Sequence, residues 1–227
     1  MTASPHRPAL QTTHAGWRTG RLRGPRRPDP GAAARLLVLK VGGSLLSRPD
    51  WPALVRALLS AHGHRPCCLV VGGGAVVDGL RTLDAAVPGP PPLVHALAID
   101  AMGLTGRLVA GQLGLAIRPQ PPHPPPATPL PVVLDAAAWL GSEPAAATLP
   151  SGWQVTSDTI AALVAVVHGG DLLVAKSAPP PPCSDDAAAD PLPALSRAGW
   201  VDDHFPRVAG TLHEIGWAAP DDGSPPL

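Results

Sequence analysis

The 227-residue chain has no tyrosine, a single phenylalanine and only two lysines, Lys40 and Lys176. Neither charge is in excess. Its 17 basic and 17 acidic side chains cancel, which removes the bulk electrostatic basis for a nucleic-acid or anionic-membrane partner. Of the three cysteines, Cys67 and Cys68 are adjacent, and no Cys-x-x-Cys or His/Cys metal spacing occurs. A disulfide framework is thereby excluded, a reducing cytoplasmic setting is expected, and Cys67 and Cys68 are assigned to the core. Uninterrupted apolar runs such as Leu36–Leu39 and Cys67–Val71 stop far short of the ~20 residues that a membrane-spanning helix needs, so a soluble protein is expected.

What is abundant is proline (32), glycine (24) and an apolar fraction of 45%, enough for a sizeable core. Residues 1–34 carry six arginines against Asp29 and show no apolar periodicity, which predicts a disordered Arg/Pro-rich tail. Order is expected to begin at Arg35. Leu36–Leu39 reads as a buried strand running into Lys40-Val41-Gly42-Gly43-Ser44. Trp51, Leu54, Val55, Leu58, Leu59 and His62 then recur at helical spacing behind Asp50 and Pro52. A second buried run, Cys67–Val71, ends in Gly72-Gly73-Gly74 and is followed by Val76, Val77, Leu80 and Leu83 at helical spacing. Leu93–Leu115 predicts a long helix interrupted by glycines. Residues 119–131, with eight prolines, predict an extended loop, Val132–Leu134 a short strand, and Asp135 a cap for a brief helix through Leu140.

In the carboxyl half a helix is predicted from Ser157 or Asp158, then a buried strand, Asp171–Ala175, leading into Lys176. Residues 179–193 read as a Pro/Asp-rich loop. Gly199–Leu212 predicts a short helix, Glu214–Trp217 a closing edge strand, and residues 218–227 a second disordered tail. Buried runs alternating with amphipathic helices predict an α/β protein, a three-layer α/β/α sandwich around a mainly parallel sheet, with ligands at the carboxyl ends of the strands.

Two lysines and two glycine loops are expected at those ends, with Asp158 at a helix start. Backbone N–H groups of such loops, aided by helix dipoles, suit phosphate. Both standard nucleotide motifs are excluded on spacing: Lys40 precedes its glycines, and Val77 stands where Gly-x-Gly-x-x-Gly needs its last glycine. Phosphoryl transfer remains, since it needs cations and preorganised donors more than covalent chemistry. Each element also has an ordinary reading: a lysine at a solvated strand end, a glycine pair as a turn, Asp158 as a helix cap. His95, His123, His168 and His204 show no ligand spacing, and Asp185-Asp186 and Asp202-Asp203 read as solvated charge, with contact of one of them to magnesium as the alternative.

Lys40, Gly42, Gly43 and Ser44, then Gly72-Gly73-Gly74, then Thr156-Ser157-Asp158, resemble in kind and order the motifs of the amino acid kinase family. The resemblance implies one kinase domain over residues 35–217, with an acceptor half at about 35–150 and a nucleotide half at about 151–217. It implies Lys40, Asp158 and Lys176 as catalytic residues, and Gly42, Gly43, Ser44, Gly72, Gly73, Gly74 and Ser177 as phosphate or nucleotide contacts. His95, Met102 and Thr156 fall on the acceptor side, and no residue is assigned to metal. Lys176-Ser177-Ala178 stands where many members carry Thr-Asp-x-x-Gly-Val. That departure, with Val155–Ala162 and Val201–Pro206, is similar to the small kinases of methanofuran biosynthesis. The expected reaction is transfer from ATP with Mg2+ to a small phosphate ester, (5-(aminomethyl)furan-3-yl)methyl phosphate, in a homo-oligomer. The alternatives are a kinase for uridylate, isopentenyl phosphate or an amino-acid carboxylate, and a non-catalytic nucleotide- or oxyanion-binding relative.

Overall fold

A computed structural model describes residues 12–14, 16–24, 35–122, 130–182 and 190–221. His123, Cys183 and Asp185-Asp186 lie outside the described residues. The strands are β1 Thr12–His14, β2 Trp17–Arg23, β3 Leu37–Val41, β4 Cys67–Val71, β5 Ala116–Arg118, β6 Val132–Leu134, β7 Asp171–Ala175 and β8 Ile215–Pro220. They form one sheet in the order β1-β2-β8-β7-β3-β4-β6-β5. All pairings are parallel except β1 with β2 and β2 with β8. The helices are α1 Trp51–Ala61, α2 Gly74–Ala86, α3 Pro91–Leu113, α4 Ala136–Ser142, α5 Ser157–Val167, α6 Leu192–Arg197 and α7 Phe205–Ala209.

The strands β3, β4 and β7 are buried along their whole length because the sheet is covered on both faces. Alternate residues face opposite layers. Leu37, Leu39, Val41, Leu69 and Leu173 join Trp51, Val55 and Leu58 of α1, whereas Val38, Val70 and Val174 join α5 and Trp139. The expected three-layer sandwich is therefore the observed one. Helix α5 is apolar all round beyond its opening Ser157-Asp158-Thr159, and its first nine residues are buried, which explains why its sequence shows little amphipathic contrast. Cys67 and Cys68 are buried free cysteines, and burial pushes the Cys67 thiol up to about 12 and Cys68 higher still, so neither is a thiolate nucleophile.

Both predicted tails are corrected where they meet the sheet. Trp17–Arg23 is a strand, anchored by Trp17, which is buried and donates from Nε1 to Leu54 O (2.8 Å). Gly20 is what lets it pair: a Cβ there would strike the Trp217 indole. Burying one tryptophan outweighs the polar, arginine-rich composition that made the segment read as unstructured. At the other end Ala218–Pro220 continue β8, which lies between β7 and β2 and is no edge strand.

The long helix is continuous through Gly103, Gly106 and Gly111, with Ala101, Met102, Thr105, Gly106, Val109 and Ala110 buried. Its length and apolar composition are those of a membrane-crossing segment, so the expectation that nothing in the chain reaches that length is corrected. A stripe of Leu93, Leu97, Leu104 and Leu108 remains exposed on α3. At its start α1 departs in one detail: Asp50 takes the N-cap position but its carboxylate pairs with Arg48 instead of capping.

Candidate active site

Lys40 is on β3, and Lys176 immediately follows β7. The register Lys40↔Val174 and Val41↔Ala175 between these adjacent parallel strands brings both side chains to one end of the sheet. Helix α5 begins over that end. Asp158, in its first turn, receives Lys40 Nζ at 2.8 Å on Oδ1 and Lys176 Nζ at 2.8 Å on Oδ2. The side chains of Lys40 and Asp158 are only 5% and 6% exposed, so this is not a solvated surface pair.

Burial pushes the Asp158 carboxyl up, but the two lysines overcome it and hold the group below the ordinary carboxylate value. Burial and the positive charge of Lys40 lower Lys176 to about 8 against the opposing pull of Asp158. Lys176 Nζ also donates to Trp200 O and lies 5.0 Å from the Trp200 ring centroid, a cation–π contact. Within the trio two cations face one carboxylate, and Asp202, which lines the same cavity, adds a further negative charge that acts on Lys176.

The two glycine loops pack against one another beside this trio. Gly42 N–H donates to Ala175 O (2.7 Å) and Gly72 N–H to Val41 O (2.9 Å), locking the loops to the strand ends. The amides of Gly43, Gly73 and Gly74 have no acceptor among the described residues, and Gly74 begins α2 at φ +54°. A Cβ at Gly43 would collide with the Gly74 backbone, so the contact tolerates no side chain. Ser44 and Ser177 meet hydroxyl to hydroxyl at 2.9 Å.

A cavity of about 420 Å3 holds Lys40, Gly43, Ser44, Gly72, Gly73, Gly74, His95, Met102, Thr156, Asp158 and Lys176. Gly42 and Ser177 do not line it. His95, with Nδ1 3.3 Å from Gly152 O, also borders a neighbouring cavity of about 510 Å3. Thr156 is the N-cap of α5, and its hydroxyl proton goes to Asp202.

Asp202 is the main residue that sequence reasoning misplaced. It is not solvated charge. One of its oxygens accepts from Thr156 N (2.9 Å), Thr156 Oγ1 (2.7 Å) and Thr159 N (3.0 Å); the other accepts from Thr159 Oγ1 (2.5 Å) and Phe205 N (2.9 Å). A single carboxylate thus satisfies donors at the starts of both α5 and α7 and fixes the turn carrying Asp158. Arg81, Trp153 and Asp78 also line the cavity and were missed. Their signal was available: Asp78 and Arg81 fall four and seven residues after Gly74, on its face of α2.

The fold is that of the amino acid kinases. Uridylate kinase from Archaeoglobus fulgidus superposes with a TM-score of 0.52 at 16% identity over 81% of this chain and 90% of its own. Aspartate kinase from Synechocystis gives 0.50 at 15% identity over 82% of this chain, which spans only 40% of that longer protein. The sequence profile of the amino acid kinase family matches residues 35–137, a little under half of the chain. No curated protein matches the sequence.

Proposed function

We propose that the protein is an ATP-dependent kinase transferring the γ-phosphoryl group to an oxygen of a small phosphate ester. The observation carrying this reading is the buried Lys40–Asp158–Lys176 trio between two glycine loops with free amides. An acceptor phosphate oxygen forms the new bond to the γ-phosphorus while the bond to the bridging oxygen of ADP breaks, so no protein nucleophile is needed. Lys40 and Lys176 neutralise charge on the transferring group, Asp158 fixes their separation, and the amides of Gly43, Gly73 and Gly74 hold phosphate oxygens. Both Asp158 oxygens already face ammonium groups, so this carboxylate fits the lysines and not a metal ion. Magnesium would ride on the phosphate oxygens of the nucleotide and lend them further positive charge.

The acceptor we propose is (5-(aminomethyl)furan-3-yl)methyl phosphate, supported by the likeness of Val155–Ala162, Lys176-Ser177 and Val201–Pro206 to that subgroup. A screen of this ester, UMP, isopentenyl phosphate and amino acids, read by ADP release and phosphorus NMR, tests it. Diphosphate formed only on an unrelated acceptor overturns the furan assignment. No turnover with any acceptor, with wild type and Lys40→Ala binding ATP alike, favours a binding protein.

The pH profile gives a separate check. With Lys176 required as a cation, kcat/KM is expected to fall as pH rises through about 8. Stability should not follow. The unfolded chain holds this proton up to the ordinary value of 10.5, so it binds more protons than the folded chain between the two values, and stability rises with pH there. Falling activity at constant or rising Tm is the expected pattern.

We also propose that two copies pair through α3, whose leucines at 93, 97, 104 and 108 form one exposed stripe. Light scattering is expected to give a dimer for the wild type and a monomer for Leu104→Glu. A monomeric wild type would remove the proposal.

A further inference from the structure

Gly74, Val77, Asp78 and Arg81 follow one another on α2 at helical spacing and line the cavity that holds Lys40 and Asp158. Arg81 lies seven residues beyond Gly74, a rise of ~10 Å. Helical side chains lean toward the amino end, and Arg81 does so, donating from Nη1 to Asp78 Oδ1 at 3.1 Å. Its guanidinium therefore stands about one turn above the glycine loop. The cation lies over the Trp153 indole, 5.0 Å from the ring centroid. Trp153 is itself fixed, donating from Nε1 to Asp84 Oδ2 at 2.7 Å, while Asp84 Oδ1 accepts from Gly89 N–H at 2.8 Å.

Stability does not account for this arrangement, because an exposed ion pair one turn apart contributes little. The Nε and Nη2 groups of Arg81 have no hydrogen-bond partner among the described residues, and its side chain is 45% exposed. A planar fork held in place by an aromatic face, with donors to spare, suits a bidentate oxyanion.

Resting on the kinase reading above, we propose that Arg81 determines acceptor specificity by gripping the non-reacting oxygens of the acceptor phosphate, with Trp153 as its platform. Asp78 occupies one edge of the guanidinium and leaves the other to the ligand. Its negative charge opposes the incoming anion, so Asp78→Asn should tighten binding.

Calorimetric titration of the full chain with benzyl phosphate, using benzyl alcohol as the uncharged control, tests the proposal without requiring turnover. Wild type is expected to bind the phosphate and not the alcohol. Arg81→Gln should weaken phosphate binding ten- to a hundredfold, roughly the effect of losing a bidentate charge-assisted pair. Arg81→Lys should recover only part of it, and Asp78→Asn should bind more tightly than wild type, with thermal unfolding little changed in all three. Equal affinity in wild type and Arg81→Gln, no wild-type binding, or equal binding of the alcohol each overturns the proposal. If Arg81→Gln loses the phosphate but wild type transfers phosphoryl to no acceptor, this inference stands and the kinase reading falls. Transfer and binding that survive Arg81→Gln give the reverse.

Discussion

Lys40→Ala is expected to lower phosphoryl transfer about a thousandfold while leaving the chain folded, and Lys176→Ala should do the same. The folding half of this expectation follows from the charges. Removing either lysine from a trio of two cations and one carboxylate leaves a neutral ion pair, so no buried charge is orphaned. The catalytic half follows from position: each ammonium stands at a strand end beside free loop amides, where on the proposed function charge would develop on the transferring group. Lys40→Arg should not restore activity. The Lys40 side chain is 5% exposed and places a compact ammonium 2.8 Å from Asp158, a contact that a wider, planar guanidinium is expected not to reproduce. This agrees with the composition, in which 15 of 17 basic residues are arginine yet lysine stands at both places. Steady-state turnover with a circular dichroism melt decides it, and full activity of Lys40→Arg would remove the need for a compact ammonium.

The opposite change should be harsher on the fold. Asp158→Asn leaves two buried ammonium groups facing one another, and a loss of about 3–5 kcal/mol is expected, together with activity. The depressed carboxyl value gives this a pH signature. Asp158 adds stability that is fully present above its ordinary value of 3.8 and is lost as pH falls through its lower folded value. Wild type should therefore lose its advantage over Asp158→Asn in strong acid. Because an anion can stand in for the missing carboxylate, ATP should raise the Tm of Asp158→Asn more than that of wild type. Unfolding scans from pH 2 to 8, with and without ATP, test both statements. An Asp158→Asn variant as stable as wild type at pH 7 would mean that the lysines are not held in the charged form.

Strand-by-strand apolar runs made β3, β4, β6 and β7 readable, because strands buried on both faces leave continuous hydrophobic stretches. Lys40, the glycine loops, Asp158 and Lys176 were readable for the same reason: each sits at the edge of such a run. What was hidden depended on partners distant in sequence. Trp17–Arg23 is ordered only because β8, nearly two hundred residues later, offers it an edge and Leu54 offers Trp17 an acceptor. Asp202 looked like surface charge until the starts of α5 and α7 converged on its two oxygens. Arg81 and Trp153 lie more than seventy residues apart, and neither carries a local signal of the other.

The pairing of β3 with β7 has a mechanical meaning. Lys40 and Lys176 belong to opposite halves of the chain, yet five paired positions lie along the parallel seam that sets their separation. Opening the molecule like a hinge between those halves would have to tear the centre of its sheet. On the proposed function, nucleotide and product would come and go past this floor of paired strands, beside the start of α2, the Trp153 turn and the Trp200 segment. Turnover should accordingly respond to the stiffness of those segments and remain insensitive to any relative motion of the two halves.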